Sequence, residues 1–147
     1  MLFRSYYDEI REYYTSLVNA DEELAYLESY LTNLGYDPYS FSADNRYAVL
    51  ELVDVIAKHM QTKFTYSSKT YNGQVATQYL ANKSGTAQQA ATAATMLFRA
   101  MGVPARYTVG YAVDATGDAY QITGADAHAW VEEIGRASCR ERVCLSV

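Results

Sequence analysis

Alanines are concentrated in the segment between Ala87 and Met101. Apolar residues recur there at helical spacing, at Ala87, Ala90, Ala91, Ala94, Leu97, Phe98 and Met101. Neighbouring elements can approach a helix of small residues closely, so we expect this helix to be buried on most sides. Gly102 suits the positive φ that often ends a helix, and therefore marks its end.

Helical spacing also predicts a pair of helices over residues 3–34, in which the second helix begins at an acidic turn and stops at Gly35. A third helix has its apolar stripe over residues 49–60, with Asp44 or Ser42 as its cap. The segment 36–43 contains a turn, and we interpret it as the boundary between an N-terminal helical segment, residues 1–36, and a core.

The second half of the chain reads mainly as strands. We expect a short extended piece at residues 64–66, polar loops at 67–73 and 82–85, a turn at 114–118, and strands at 106–113, 119–123 and 127–133. No internal repeat is visible. Helices that precede an antiparallel meander are typical of the α+β class.

Composition excludes several classes of function. The chain has 147 residues, a net charge of −5 and a pI near 4.9, and nucleic-acid binders need a basic face instead. No apolar run approaches the ~20 residues that span a bilayer. We expect the 15 tyrosines to pack between helices. With two histidines, neither a metal site nor a cofactor is expected.

The final segment, IGRASCRERVCLSV from Ile134 to Val147, differs in character from everything before it. It resembles the translation of a sequencing-adapter oligonucleotide, and we interpret residues 134–147 as a non-native tail after a C-terminally truncated core at residues 44–133. Without its three Arg and one Glu, the charge becomes 9 − 16 = −7. Cys139 and Cys144 leave with it, so no native thiol is expected, and we expect no ordered element around them.

Two short segments have the layout of a nucleophilic active site. Gly85-Thr86-Ala87 leads into the N-terminus of the alanine-rich helix, where the helix dipole lowers a thiol pKa and free N–H groups stabilise an oxyanion. His128 begins a predicted strand and could act as a general base. The sequence favours structural roles for three others: a surface position for His59, an exposed turn for Asp126 and an ion pair for Arg106.

The run SGTAQQAATAATMLFRAMGVPARYTVGYAV, followed by ITGADAHAWVEE, resembles the core of the transglutaminase-like family. That family belongs with the papain-like cysteine hydrolases. The positions that match its pattern in order are Gly85, Arg99, Gly102, Pro104, Ala105, Arg106, Gly110, Tyr111, His128, Ala129, Trp130, Val131 and Glu132. The resemblance implies a nucleophile helix packed on an antiparallel sheet, and a protein or peptide amide bound near Gly85, Thr86 and Trp130.

Two departures from the family pattern bear on activity. Ala87 stands where the family has its catalytic Cys, and the third member of the triad would lie beyond Glu133, so only His128 remains. A methyl group cannot attack a carbonyl. Thr86 and Ser84 are displaced from the matching position by one and three residues.

Three hypotheses follow. The chain is a fragment of an active cysteine-dependent amidase, protease or transglutaminase, or a natural pseudoenzyme that keeps a peptide- or protein-binding cleft, or an active member whose Cys was replaced. Gln88 and Gln89 also depart from the family, which favours natural drift and thus the pseudoenzyme. The resemblance allows an extracytoplasmic location in a membrane-anchored bacterial protein, with the membrane contacted only through other parts of that protein.

Overall fold

A computed structural model of the chain describes residues 2–17, 21–113, 117, 119–135 and 140–143, with the backbone alone for residues 2–7 and 140–143. Five helices are described: α1 Leu2–Thr15, α2 Asp21–Asn33, α3 Arg46–Lys63, α4 Val75–Asn82 and α5 Ala87–Ala100. The described strands are β1 Thr65–Tyr66, β2 Ser84–Gly85, β3 Ala105–Tyr111, β4 Ala127–Ile134 and β5 Arg140–Val143. The predicted α+β class is therefore confirmed.

Helix α5 lies at the centre of the fold, as its alanines predict. Most of its apolar residues are buried, and it packs against α4, β3, β4 and α2. Gly102 ends the helix at a φ of +72°, which confirms its predicted role. The close approach of these elements to α5 depends on the small volume of its alanine side chains.

The strands form two small sheets. β3, β4 and β5 lie in that order in an antiparallel sheet, and the pair β3–β4 has a continuous register from Ala105↔Glu133 to Tyr111↔Ala127. β1 and β2 form a short parallel pair. Alternation along β3 and β4 places one face of the larger sheet against α5, because Ala105, Ala129 and Val131 are all fully buried.

Helix α2 shares its core with the rest of the fold. Leu27 and Leu31 are fully buried in the same cluster as residues of α3, α4 and α5. Glu23 also accepts hydrogen bonds from the backbone N–H of Thr77 at 3.1 Å and from its hydroxyl at 3.3 Å. A carboxylate from α2 thereby caps the N-terminus of α4 and complements its helix dipole.

Several local predictions are wrong in detail. Helix α3 is capped by Asn45, whose side-chain oxygen accepts from the N–H groups of Tyr47 and Ala48, and not by Asp44 or Ser42. α4 was not predicted as a helix, and Ser84–Gly85, which was expected to be loop, pairs with β1.

The predicted strand over residues 119–123 is absent, since this described segment is exposed and irregular and leads into a 3₁₀ turn at Gly124–Asp126. β4 pairs directly with β3 instead. The expected turn at 114–118 lies outside the described residues apart from Gly117. Asp126 accepts from the Thr123 N–H at 2.8 Å and from the Tyr120 hydroxyl at 3.0 Å, and these bonds, the backbone bond foremost, lower its pKa. Asp126 is therefore a turn cap.

The C-terminal segment contains an element that the sequence did not predict. β5, Arg140–Val143, pairs with β4 from Val131↔Val143 to Ile134↔Arg140. Backbone ladder bonds depend little on side-chain identity, so the pairing needs no particular sequence. Cys139 and Cys144 lie outside the described residues. Among the described helices, none combines the length and the apolarity needed to cross a bilayer.

His59 was expected at the surface, and the structure corrects this. The side chain is half-buried, its Nε2 lies 2.6 Å from the Tyr30 hydroxyl, and its ring meets the edge of Phe64 at 5.7 Å. Burial, followed by the charges of Lys83 and Lys63, lowers the pKa of His59. Burial raises the pKa of Tyr30 to about 12. The pair joins α2 to α3.

The lowered pKa of His59 predicts a pH dependence of stability. A folded-state pKa below the unfolded value of about 6.5 means that the unfolded chain binds more protons below that pH. The contribution is complete above about pH 6.5 and is lost as the pH falls through the folded-state pKa. Urea unfolding at pH 7.5 and pH 5 should therefore show a larger loss of unfolding free energy in the native chain than in His59→Gln. Equal losses in both proteins would contradict this assignment.

Candidate functional site

The start of α5 is fixed by a reciprocal pair of hydrogen bonds. The Thr86 hydroxyl accepts from the Gln89 N–H at 3.3 Å, and the Gln89 side-chain oxygen accepts from the Thr86 N–H at 2.9 Å. This capping box satisfies two otherwise unbonded groups at the helix terminus. The Gln89 amide also donates to the Lys69 carbonyl at 2.9 Å, which ties the preceding loop to the helix. Thr86 therefore has a structural task, and its hydroxyl is occupied.

Gly85 lies behind the helix start. A Cβ at this position would come within 2.7 Å of the Tyr79 ring and 2.3 Å of the Gln89 side-chain oxygen. Tyr79 is fully buried and stacks on Phe64 at 5.0 Å between ring centroids. The close approach of backbone to ring thus requires a glycine here.

The sheet side of the site is built around Gly110 and His128, which face each other across β3 and β4. A Cβ on Gly110 would lie 2.7 Å from the Trp130 ring, so the indole occupies the volume that a side chain at 110 would take. The indole N–H donates to Glu132 at 3.2 Å. His128, Trp130 and Glu132 alternate along one face of β4, and Trp130 covers Gly110 from that face.

Ion pairs brace the far end of the same strands. Arg106 donates to Glu132 through Nε at 2.8 Å and Nη2 at 2.5 Å, which confirms the predicted pairing. The hydrogen bond to Glu132 raises the pKa of Arg106. Arg46, at the start of α3, donates to Glu133 at 2.7 Å. Both carboxylates are only 3% exposed, so each buried charge has a cation beside it.

One cleft of about 490 Å³ lies between the start of α5 and the ends of β3 and β4. Its walls are formed by Tyr66, Thr86, Ala87, Gln88, Val109, Gly110, Tyr111, Ala127, His128 and Ala129. The sequence predicted that Thr86, Ala87 and His128 belong together, and they do line one cleft. Gly85 and Trp130 do not line it: the first is buried behind the helix start, and the second packs over Gly110.

Seven of the ten wall residues were not predicted as site residues: Tyr66, Gln88, Val109, Gly110, Tyr111, Ala127 and Ala129. Tyr111 belongs to the Gly-Tyr pair of the motif, so its position at the end of β3 offered a signal. Tyr66 had none, because its place in the cleft arises from the pairing of β1 with β2. That parallel pairing joins segments nineteen residues apart, as in Thr65↔Ser84, and cannot be read from either segment alone.

The chemistry available in the cleft is limited by its side chains. Ala87 supplies a methyl group at the first position of α5, where the family pattern has a thiol. The backbone N–H groups of Ala87 and Gln88 remain, and among the described residues neither donates to another group. Two such donors at the positive end of a helix can bind a carbonyl oxygen. No group of His, Cys, Asp and Glu suited to a metal ion occurs within the described part of the chain.

The sequence was compared with models of known protein families. Residues 39–134, which make up more than half of the chain, match the family model of the transglutaminase-like superfamily. The chain belongs to this superfamily. The matched segment runs from the turn before α3 to the last residue of β4, and so contains the helix start, the GVPAR segment and the His128 strand. A search of curated proteins finds no significant match.

Two solved structures resemble the transglutaminase-like chain: the periplasmic domain of TgpA from Pseudomonas aeruginosa, and the same domain bound to ethylmercury. Both are 21% identical in sequence, with TM-scores of 0.64 and 0.63. The matches cover 94% of this chain but 47% and 49% of theirs, so the chain spans about half the length of these relatives. The likeness establishes the fold, and its coverage extends beyond residues 39–134 into the N-terminal helices.

Proposed function

We propose that this chain is a non-catalytic transglutaminase-like domain whose cleft binds an extended segment of a protein or peptide. The observation that carries the proposal is Ala87 at the first position of α5, in a cleft that His128 and Gln88 also line. The backbone N–H groups of Ala87 and Gln88 donate to no group in the described part of the chain. The site thus keeps the groups that bind a peptide carbonyl and lacks the group that would attack it.

The surroundings of Ala87 support natural loss of the nucleophile. Gln89 departs from the family pattern, yet it closes the capping box with Thr86 and holds the Lys69 carbonyl. A single deliberate replacement of Cys by Ala would not account for a second departure that is integrated into the same helix turn. Thr86 does not substitute for the thiol, since its hydroxyl caps the helix.

The alternative is a fragment of an active cysteine-dependent amidase, protease or transglutaminase. The retained helix terminus and His128 on one cleft are the observations that favour it. We also propose an extracytoplasmic location in a membrane-anchored bacterial protein, which is supported by the likeness to the periplasmic domain of TgpA. Fractionation of the source cells with an antibody against this domain tests the location.

A cysteine placed at position 87 tests the chemistry of the site. The background is the chain with Cys139→Ser and Cys144→Ser, so that the introduced thiol is the only one. We expect Ala87→Cys to give a thiol pKa below the ordinary value of about 8.5, because the N-terminus of α5 stabilises a thiolate. The matched control is Ala81→Cys, an exposed position near the C-terminus of α4, where the dipole has the opposite sign. Alkylation by iodoacetamide across pH 5–10 measures both pKa values.

The same proteins distinguish the two functions. We expect the native chain to release no ammonia from a Gln-containing peptide and to form no acyl adduct detectable by mass spectrometry. Turnover by the native chain would overturn the proposal. Turnover by Ala87→Cys but not by the native chain would show that the Cys-to-Ala replacement alone makes this domain inactive. It would favour cysteine-dependent catalysis in relatives that keep the Cys.

A further inference from the structure

The outer edge of β3 lies beside the cleft, and hydrogen bonds at the two ends of β3 fix which of its backbone groups face outward. The Ile134 N–H donates to the Pro104 carbonyl at 2.9 Å, and the Ala112 N–H donates to the Asp126 carbonyl at 2.8 Å. Bonded and non-bonded pairs alternate along an antiparallel ladder of continuous register. Even-numbered residues of β3 therefore bond to β4, and odd-numbered residues direct their N–H and C=O groups away from it.

The odd-numbered residues of β3 are Ala105, Tyr107, Val109 and Tyr111. The Ala105 carbonyl accepts from Arg99 Nε at 2.9 Å, as expected for a group that faces outward. For the other three residues, no backbone or side-chain group in the described part of the chain bonds to these N–H and C=O groups. Over residues 107–111, β3 thus presents an edge on which three residues direct unpaired backbone groups outward.

Over residues 107–113 this edge lacks the charged side chains and the prolines by which proteins commonly prevent strand pairing. Tyr107, Val109 and Tyr111 are 41%, 59% and 58% exposed, and residues 107–113 contain no Pro and no charged side chain. Natural edge strands are commonly protected by Lys, Pro or a bulge. Val109 and Tyr111 also line the cleft, so the unpaired edge and the cleft form one continuous surface.

We infer that an extended, neutral or basic segment of a partner protein adds as a strand to the outer edge of β3 and continues into the cleft. The inference deepens the proposed function, on which it rests, by naming the mode of binding. Backbone ladder bonds would supply affinity, and alternate side chains would contact the exposed β3 residues. A second copy of the chain fits this edge less well, because two chains of net charge −5 repel each other.

The test uses an extended probe peptide and the full 147-residue chain. The probe is an acetylated, amidated octapeptide of alternating Val and Thr with Lys at both ends. Its binding is followed by fluorescence anisotropy, and amide hydrogen exchange is read by NMR. We expect slower exchange at Tyr107, Val109 and Tyr111 when the probe is bound. Val109→Pro removes one outward N–H, which an edge strand tolerates, and should weaken binding about fivefold.

Modified peptides and control variants make the outcome decisive even if Val109→Pro fails to fold. Two versions of the probe are N-methylated, one at its odd-numbered and one at its even-numbered residues, and each therefore has one edge blocked. We expect one version to lose binding and the other to bind as the unmodified probe does. Tyr47→Ser, at an 84% exposed site on α3, should bind as the native chain does.

Strand addition would be overturned if both N-methylated versions of the probe bind equally well and binding is lost only when Ala87→Phe fills the cleft. That result would leave the proposed function intact. No binding of any probe would overturn both. Protection of the β3 amides without peptide, together with a dimer in sedimentation, would assign the edge to a second copy and overturn the inference.

Discussion

Replacing Arg106 by Met should lower the free energy of unfolding by about 3 kcal/mol, because it removes a cation that donates two hydrogen bonds to a buried carboxylate. Glu132 is 3% exposed and accepts two hydrogen bonds from Arg106, and it also accepts one from the neutral indole of Trp130. The Arg106 side chain is itself one-third exposed, so water reaches the vacated site and keeps the loss at the lower end of the usual range.

Urea unfolding at pH 7 measures this loss. The matched control is Arg11→Met, which breaks an exposed pair with Asp44 at 2.8 Å and should cost less than about 1 kcal/mol. Similar losses for both variants would show that Glu132 does not depend on Arg106.

Replacing Gly85 by Ala should cost about 2 kcal/mol of unfolding free energy, the middle of the range for overpacking. The added Cβ would meet the fully buried Tyr79 ring at 2.7 Å, and the ring cannot move because it stacks on Phe64. It would also displace the Gln89 side chain that closes the capping box.

Gly124→Ala is the control for this substitution. No atom lies within 4 Å of the Cβ position at Gly124, so its effect should stay within about 0.5 kcal/mol. Thermal or urea unfolding of the two variants and the native chain measures both changes in unfolding free energy. A neutral Gly85→Ala would mean that the sequence motif keeps this glycine for a reason other than packing against Tyr79.

The elements that could be predicted from sequence are those specified by local pattern. The alanine spacing of α5 and the glycine after it indicate a buried helix and its end, and the His-Ala-Trp run alternates as a strand should. These segments contain both the periodicity and the terminating residue within a short window. The same is true of α2, which begins at an acidic turn and ends before Gly35.

The features that the sequence could not reveal depend on partners far along the chain. Helix α4 has only eight residues and is capped by Glu23, more than fifty residues earlier. Residues 119–123 alternate like a strand, yet no ladder forms because β4 takes the place beside β3. The sequence predicts a solvent-exposed His59, because its contact with Tyr30 depends on the packing of α2 against α3. The two cleft walls at the start of α5 and at His128 could be predicted from the sequence motifs. Tyr66 lines the cleft because β1 pairs with β2, and the sequence does not show that pairing.

Peptide binding and peptide modification by the native chain can be measured in the same sample. The native chain is titrated with the Val-Thr octapeptide carrying one Gln at its centre, and the mixture is then analysed by mass spectrometry for cleavage, deamidation and adducts. We predict saturable binding, an intact peptide and an unmodified protein, with binding lost in Ala87→Phe. A cleaved or deamidated peptide, an acyl adduct, or unchanged binding by Ala87→Phe would show that the cleft does not bind the peptide without reacting with it.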